Sequence, residues 1–342
     1  MSFKLDTESW EDISQKKVLV TGADGMLGNN IVRELVSRGC QVSCFIEKSH
    51  DGHTLRELPV EVVRGDICQP GDLEPLFRKN DYVIHTAGVT AMWPARSAVA
   101  WNINYRAVQL LVKLSKAHQI IRFIHIGTAT SFGHGPMHDP GNEQRPYSNH
   151  VFRLDYQDTK FRAQEYLLKE YRENNFPVII LNPTFMIGKY DNGNSSNKMI
   201  LYIFKGKVPG FSPGGKNYVH VRDVAHAAAN ALTLGREGEC YITGGRNLSY
   251  RESFRLIAET LDVKAPAIKM PRFLSVSFGA LQSAVASITG RPPTVSYRMA
   301  RIGCEECYYS PEKAIRELKM PQTPIEEGIR ESIEWFRERG MA

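Results

Sequence analysis

Tyr156 and Lys160 stand four residues apart in the segment YQDTK, and their side chains are suited to moving a proton. A helix is predicted from about Tyr156 to Tyr171, and the spacing places both side chains on one face of it. A free tyrosine titrates near about 10, which is too high for ready proton exchange at neutral pH. A neighbouring ammonium favours the phenolate, so we expect Lys160 to lower the pKa of Tyr156. Tyr156 would then donate a proton to a carbonyl oxygen or remove one from an alcohol.

A hydroxyl group precedes this pair in the chain. The segment FIHIGTATSFG begins within a predicted strand, Arg122–Ile126, and Thr128 follows the end of that strand. Open α/β sheets bind their ligands at the carboxyl ends of their strands. We therefore expect Thr128 to hydrogen-bond a substrate oxygen beside Tyr156. The predicted catalytic residues are Thr128, Tyr156 and Lys160.

Three glycines follow the first predicted strand, Lys17–Thr21. They belong to the segment TGADGMLG, which opens a predicted helix, Leu27–Ser37. Glycine permits a sharp turn and lets a pyrophosphate approach the helix N-terminus, where free amides and the helix dipole favour anions. The segment therefore predicts a dinucleotide-binding turn made by Gly22, Gly25, Met26, Leu27 and Gly28.

Further candidate cofactor contacts lie at the ends of the next strands. Glu47 follows the predicted strand Gln41–Ile46, and a carboxylate there can accept both hydroxyls of the adenine ribose while repelling a 2′-phosphate. Lys48 beside it would favour that phosphate, so NAD is the predicted cofactor and NADP stays open. Two more segments lie along the ligand-binding edge of the predicted sheet, Asp66-Ile67 after the third strand and Thr86-Ala87-Gly88 after the fourth.

Short β-branched segments alternate with longer helical patterns in the first half of the chain, which is typical of a parallel sheet with crossover helices. We predict an α/β fold, namely a doubly wound parallel sheet (Rossmann) with a smaller, mainly helical C-terminal substrate lobe. The Rossmann domain would span residues 14–183 and be completed by about 218–244, and the lobe would comprise 184–217 and 245–342. Residues 189–217 are predicted as loops bordering a cleft. The other predicted elements are the strands Val60–Arg64, Tyr82–His85 and Val178–Leu181, the helices Ala107–Ala117 and Pro324–Arg339, and a strand end running into a helix over Val219–Ala231.

The composition is that of a soluble globular enzyme, with 42% hydrophobic and 23% charged residues and a net charge of +6 over 342 residues. The cations are scattered, which fits an anionic cofactor better than a nucleic-acid partner. The polar N-terminus predicts no secretory signal, and no apolar segment is long enough for a transmembrane helix. With six mostly isolated cysteines, these features predict a cytoplasmic protein. Cys304 and Cys307 form a CxxC without a second pair, so no metal site is predicted.

Taken together, the motifs resemble those of the extended short-chain dehydrogenase/reductases. The resemblance covers the chain from Lys17 to about Gly244 and continues through PEKAIREL and IEWFRERG. Within that superfamily the chain is most similar to the dihydroflavonol-reductase-like group, which lies near the 3β-hydroxysteroid dehydrogenases. The matching segments are TGADGMLG, RGDI, VIHTAG, Ile103-Asn104, IHIGTATSFG, YQDTK, LNPTFMIG and NYVHVRDVAHA.

The resemblance implies an NAD(P)-dependent enzyme, a homodimer, and the three catalytic residues given above. The chain departs from the usual pattern of these enzymes at two positions. Glu47 stands where NADPH-using relatives carry an arginine, and Phe132 stands where a tyrosine is usual. The second change removes a hydroxyl near the substrate. The further cofactor contacts that the resemblance implies are Asp66 and Ile67 near the adenine, Pro183 and Thr184 at the nicotinamide, and Asn104 in the same site.

Two rival functions fit the same fold. A nucleotide-sugar epimerase or dehydratase would use tightly bound NAD and would hold a diphosphate, for which Asn182 and His220 are candidates. Against it, Asn217 stands where such enzymes often show an arginine. A cofactor sensor or scaffold without turnover would typically lack the tyrosine or the lysine. The favoured function is hydride transfer between NAD(P) and a carbonyl or secondary alcohol of an apolar small molecule.

The C-terminal third of the chain contains an apolar segment whose partner the sequence does not identify. Its large side chains could line an apolar substrate pocket or pack within the lobe. The basic and apolar character near residues 271–290 also allows peripheral membrane contact, which a lipid-like substrate would favour. The apolar residues are Phe273, Leu274, Val276, Phe278, Leu281 and Val285.

Overall fold

The computed structural model describes residues 12–191 and 197–342. Most of the N-terminal stretch on which the prediction about a secretory signal rests, residues 1–11, lies outside the described residues. Of the helices in the described ranges, none combines the length and the apolarity that a membrane-spanning helix needs. The same ranges contain no group of three metal-ligating side chains. Burial raises the pKa of the Cys307 thiol to about 12, and both cysteines of the CxxC are free.

A seven-stranded parallel sheet forms the centre of the larger lobe. Its strands are β1 (Lys17–Thr21), β2 (Gln41–Glu47), β3 (Glu61–Gly65), β4 (Tyr82–His85), β5 (Arg122–Ile126), β6 (Val178–Pro183) and β10 (Glu239–Thr243). Their order in the sheet is β10-β6-β5-β4-β1-β2-β3, so the connection reverses direction between β1 and β4. Ligands of open α/β sheets bind at such a switch point, beyond the carboxyl ends of the strands.

Helices cover both faces of this sheet because its Val- and Ile-rich central strands are apolar on both sides. One face packs against α1 (Met26–Ser37), α7 (Val221–Asn230) and α11 (Glu312–Leu318). The other face packs against α2 (Pro70–Lys79), α4 (Ala107–Ala117) and α5 (Asp155–Asn174). A short helix, α3 (Ala98–Trp101), continues through a π-helical turn over Asn102–Arg106 into α4. The predicted doubly wound Rossmann fold is confirmed.

The smaller lobe contains a second sheet that the sequence did not predict. This sheet is formed by β7 (Phe185–Ile187), β9 (Gly215–His220), β11 (Arg246–Ser249) and β13 (Glu306–Cys307), while β8 (Gly210–Phe211) pairs with β12 (Ile268–Lys269). The helices of this lobe are α6 (Lys198–Phe204), α8 (Tyr250–Thr260), α9 (Arg272–Thr289), α10 (Tyr297–Ile302) and α12 (Ile325–Glu338). The prediction that residues 189–217 are loops is therefore wrong for α6, β8 and β9. Such short strands are held by partners far along the chain, which local composition does not reveal.

Helix α12 packs within the smaller lobe. Apolar residues recur at every third or fourth position, so one face of the helix is continuously apolar. Ile325 and Ile329 pack into the core of the smaller lobe. Ile333 and Phe336 form a separate apolar cluster with Leu201 of α6. The lobe that completes the ligand cleft is thus fixed by its own core.

Candidate active site

The turn between β1 and α1 leaves no room for side chains. Gly22 has a φ of +68°, and a Cβ there would lie 2.7 Å from the backbone of Ala87. A Cβ at Gly28 would lie 2.1 Å from the carbonyl oxygen of Gly22. Gly25 caps α1 without any side-chain hydrogen bond, so first-turn amides stay available to an anion. The turn, with the amides of Met26, Leu27 and Gly28 in the first turn of α1, fits the pyrophosphate of a dinucleotide.

The segment after β4 is held against Lys160. The Thr86 hydroxyl donates a hydrogen bond of 2.6 Å to the carbonyl of Thr21, which ties this segment to the glycine turn. A Cβ at Gly88 would lie 3.1 Å from the Lys160 ammonium and 3.2 Å from Asn104 Oδ1. Only glycine therefore allows the backbone to approach Lys160 this closely.

Asn104, on the π-helical turn, positions this segment. Its side chain accepts a hydrogen bond of 2.8 Å from the Val89 amide and donates one of 2.9 Å to the Val89 carbonyl. It also donates to the Thr159 hydroxyl on α5, at 3.2 Å. Asn104 is buried, so its contacts are to the protein. Its proposed part in the cofactor site is therefore to hold this segment in place.

The end of the cleft at which adenosine is expected presents an exposed carboxylate. Glu47 is the last residue of β2, and its side chain is 67% exposed, with contacts to the Ser49 hydroxyl at 3.1 Å and to His50 Nε2 at 3.5 Å. The neighbouring Lys48 ammonium lies 3.2 Å from Asp72 Oδ2, so it is paired within the protein. This arrangement fits the two hydroxyls of an adenine ribose better than a 2′-phosphate.

The turn after β3 borders the same end. The Asp66 carboxylate accepts a hydrogen bond of 2.9 Å from the Cys68 amide. The Asp66 amide donates to the Asp72 carboxylate, also at 2.9 Å. The Ile67 side chain is buried. Both predicted residues therefore lie at the carboxyl edge of β3, where their backbone shapes the turn.

Tyr156 lies in the first turn of α5, half-buried beside Thr128, which follows β5. Burial raises the pKa of Tyr156, and a hydrogen bond with the Thr128 side chain opposes that effect. The Thr128 hydroxyl also lies 3.1 Å from the hydroxyl of Thr130, a residue that the sequence analysis did not single out. The prediction that Lys160 lowers the pKa of Tyr156 is wrong here, because burial raises that pKa and the opposing effect comes from Thr128 rather than from Lys160.

Lys160 is almost fully buried one helical turn further along α5. Its ammonium donates a hydrogen bond of 2.8 Å to the carbonyl of Ile126 at the end of β5. Burial lowers the pKa of Lys160 to about 8. Two further buried groups, the imidazoles of His85 and His125, lie on β4 and β5 with ring centres 5.3 Å apart. Burial lowers the pKa of both, so they stay neutral beside the ammonium.

The residues after β6 are engaged with the smaller lobe. Pro183 ends β6, and the Thr184 hydroxyl donates a hydrogen bond of 2.8 Å to Asn217 Oδ1. Asn217 Nδ2 donates to the Gly245 carbonyl at 2.9 Å and to Asn247 Oδ1 at 2.7 Å. Asn217 is thus a buried junction between segments of the protein.

The two side chains considered for a diphosphate also have protein partners. Asn182 Nδ2 donates to the Thr128 carbonyl at 3.0 Å and to Gln164 Oε1 at 2.8 Å. His220 caps the N-terminus of α7, where its Nδ1 accepts a hydrogen bond of 3.1 Å from the Arg222 amide. Both side chains therefore hold the fold together.

Lys216 on β9 is a cation that the sequence analysis missed. Its ammonium lies 4.4 Å from the ring centre of Phe185, which directly follows Thr184. Burial lowers the pKa of Lys216, and the described residues supply no carboxylate in a salt bridge with it. The alternation of side chains along β9 could have revealed Lys216. Lys216 is next to the buried Asn217, so the two side chains lie on opposite faces of the strand.

The apolar residues proposed as a pocket lining are mostly on the surface. Within α9 the exposed fraction is 67% for Phe273 and 64% for Leu281, and Leu274, Phe278 and Val285 are exposed as well. Val276 is half-buried. Neither of the two alternatives, a pocket lining or packing within the lobe, therefore holds for most of these side chains, because α9 turns its small residues inward.

The profile described as the NAD dependent epimerase/dehydratase family matches residues 18–244. The chain belongs to that family. Membership of this family places the protein among the extended short-chain dehydrogenase/reductases, as predicted. Its family also confirms NAD as the predicted cofactor, which the glycine turn and Glu47 fit.

Two proteins and one solved structure show what the chain is similar to. It is 26% identical over 328 residues to a Synechocystis sp. protein provisionally named dihydroflavonol 4-reductase, covering 94% of each chain. It is 26% identical over 326 residues to sterol demethylase protein B of Methylococcus capsulatus, covering 94% of this chain and 99% of that one. The crystal structure of gox2253 shares 28% identity and a TM-score of 0.83 over 96% of this chain and 99% of that one.

Proposed function

We propose that the protein is an NAD-linked oxidoreductase that transfers a hydride between nicotinamide and a carbonyl or secondary alcohol carbon of an apolar small molecule. The observation that carries the proposal is that the Thr128 side chain lies beside Tyr156, one helical turn before the buried Lys160. A hydroxyl pair at the carboxyl edge of the sheet can hold a substrate oxygen and exchange a proton with it.

Bound NAD supplies the hydride chemistry, and the residues of this chain supply binding and proton transfer. Thr128 orients the substrate oxygen, and Tyr156 donates the proton in reduction or removes it in oxidation. The Lys160 ammonium has three donors, one of which binds the Ile126 carbonyl, so others are available to a ribose hydroxyl. The glycine turn holds the pyrophosphate, and Glu47 accepts the hydroxyls of the adenine ribose.

The hydrogen bonding of the polar side chains near the cleft supports the proposal of an apolar substrate. Asn182 and Asn217 donate their amide hydrogens to groups of the protein, and the buried His220 Nε2 lies 3.4 Å from the Glu331 carboxylate, so these side chains are not free donors for a diphosphate. Phe132, which stands where a tyrosine is usual, is buried close to Thr128. A cleft with few free donors favours a substrate with few acceptors.

One observation favours the alternative, a nucleotide-sugar epimerase or dehydratase that uses tightly bound NAD. Lys216 is a half-buried cation without a described carboxylate partner, next to the ring that follows Thr184. Such a cation could bind the phosphate of a nucleotide sugar, because a buried charge needs a counter-charge.

A titration separates the two functions. We expect purified protein to bind NADH more tightly than NADPH, to gain no thermal stability from UDP-sugars or dTDP-sugars, and to reduce members of a panel of apolar ketones. Lys216→Met should leave that reduction intact. Protein that is purified with NAD bound and is stabilised by a nucleotide sugar, with the stabilisation lost in Lys216→Met, would instead support the alternative.

We further propose that residues 14–183 and 218–244 form the cofactor domain and that 184–217 and 245–342, apart from α11 on the Rossmann sheet, form the substrate lobe. Hydrogen exchange tests this division. NADH should protect mainly the first set of residues, and a ketone that the protein reduces should protect mainly the second. The homodimer and the cytoplasmic location stay predictions from the sequence.

A further inference from the structure

Helix α9 turns its small residues toward the protein and its large apolar residues toward solvent. Ser275, Gly279 and Ala286 are buried, and a Cβ at Gly279 would lie 2.7 Å from the Cβ of Ala300 on α10. A surface helix ordinarily does the reverse. The exposed fractions are 67% for Phe273, 48% for Leu274, 47% for Phe278, 64% for Leu281, 51% for Val285 and 86% for Ile288.

The exposed residues form one continuous stripe. Leu274, Phe278, Leu281, Val285 and Ile288 follow one another at steps of four and three positions, so they line one side of the helix. No other charged residue of α9 interrupts the stripe, because Arg272 at its N-terminal end is the only one in the helix. Since the described helices include none that could cross a bilayer, this stripe can lie on an apolar surface but not pass through one.

The charged residues of the segment that contains α9 are all of one sign. Residues 263–304 contain six cations and no aspartate or glutamate. Lys269 and Arg272 are exposed at the N-terminal end of the stripe, and Arg291 is exposed just after its C-terminal end. Arg272 has an acidic partner outside this segment, Glu305, at 2.8 Å. An apolar stripe with cations at both ends complements a layer that is apolar inside and anionic at its surface.

A second copy of the chain is a poorer occupant of this face. If two α9 helices met in parallel, Lys269 and Arg272 of each would face the same residues of the other. If they met antiparallel, Arg272 of one would approach Arg291 of the other. Both arrangements bring like charges together at an apolar contact, which opposes association.

We propose that α9 is a docking surface for an anionic lipid bilayer. Its apolar stripe inserts among the acyl chains near the headgroups, and the flanking cations contact lipid phosphates. The helix packs on α10, where Arg298 donates a hydrogen bond of 2.8 Å to the carbonyl of Phe152, four residues before Tyr156. The lipid surface therefore lies near the segment that leads into the candidate active site. The docking itself requires no substrate and no turnover.

Vesicle flotation of the full chain tests this proposal. The probes are phosphatidylcholine vesicles with and without phosphatidylglycerol, at low and at high salt. We expect binding to the anionic vesicles, weakened by salt, and a fall of about tenfold or more in the partition coefficient of Phe278→Ser/Leu281→Ser. The matched control is Val99→Ser/Ile121→Ser, two side chains that are each 56% exposed outside α9 and whose loss should not change binding. Each variant is first shown to keep the melting temperature and NADH affinity of the wild type.

Two outcomes would overturn the proposal. One is binding that is absent, or that persists unchanged in Phe278→Ser/Leu281→Ser. The other is a dimer, seen by sedimentation velocity without lipid, that the same variant dissociates, since the stripe would then join two copies. Phe278→Trp gives an independent measurement, because its added fluorescence should shift to shorter wavelength with anionic vesicles only if this position enters the lipid. Ketone reduction is not needed for any of these measurements, so the proposed function can fail separately.

Discussion

The surroundings of Tyr156 and the outer face of α9 depart from ordinary burial in opposite directions. Around Tyr156 the protein buries groups that usually stay in water: the Lys160 ammonium and the imidazoles of His85 and His125. Along α9 it exposes side chains that usually leave water, including Phe273 and Ile288.

Each departure costs stability, and each is offset in a different way. The buried polar groups are partly compensated inside the protein, for example by the Ile126 carbonyl at Lys160. The exposed apolar groups have no such internal compensation, so only an external surface can remove them from water. The comparison therefore predicts that substitutions near Tyr156 change chemistry or stability, whereas those on α9 change association.

The largest effect should come from Tyr156→Phe. It removes the proton donor and leaves the ring, so kcat for ketone reduction should fall by about a thousandfold. NADH affinity, measured by fluorescence titration, should stay within about twofold of the wild type. Tyr166→Phe on the same helix is the matched control and should keep full activity. Full turnover by Tyr156→Phe would contradict its assignment as the acid/base.

Asn217→Ala should destabilise the protein, because it removes a buried junction between segments. It leaves the Thr184 hydroxyl and the Gly245 amide without the acceptor that both use. The free energy of unfolding, measured with urea, should fall by about 3 kcal/mol. Asn174→Ala, at the exposed end of α5, should change it by less than about 0.5 kcal/mol. Equal effects of the two would show that Asn217 is not a structural junction.

Lys160→Met should weaken NADH binding by about tenfold, because a donor to the ribose is lost. The pH dependence follows from the lowered pKa of Lys160, about 8. Below that pH the ammonium form predominates and affinity should be constant. As the pH rises through about 8 the amine loses its proton and charge, so wild-type affinity should decline. Calorimetric titrations of Lys160→Met should show no such decline, and a parallel decline in both proteins would assign it to another group.

The smallest effect is expected at α9. Phe278→Ala removes a ring that is 47% exposed, so the free energy of unfolding should change by less than about 0.5 kcal/mol. Phe123→Ala, in the fully buried core of the sheet, should cost about 4 kcal/mol. Guanidinium denaturation of both proteins measures the contrast. A large loss at Phe278 would mean that the stripe stabilises the monomer.

The sequence predicted the elements that carry strong local patterns. Strands β4 and β5 and helix α4 have the predicted bounds, because short β-branched segments and apolar periodicity suffice to define them. The glycine turn and the pair on α5 were equally readable, since both depend on residues close together in the chain.

What the sequence did not predict depends on distant partners. The second sheet pairs β9 with β13, and the paired residues Gly215 and Glu306 lie 91 positions apart in the chain. The inward face of α9 is set by Ala300 and Ser296 against Gly279, not by hydrophobic periodicity. The pKa of Tyr156 was misjudged because spacing reveals a neighbour but not the extent of burial.

Helix α11 has a consequence for how the chain is made. Ala314, Leu318 and Met320 belong to the same apolar core as β1 and α1, and the hydroxyl of Tyr241 on β10 donates to the Glu317 carboxylate at 2.9 Å. The Rossmann sheet therefore lacks part of its cover until synthesis has passed residue 320. During synthesis the uncovered face of the sheet would be exposed to solvent. We expect chaperones that bind exposed apolar surface to bind the nascent chain until residue 320 has been added.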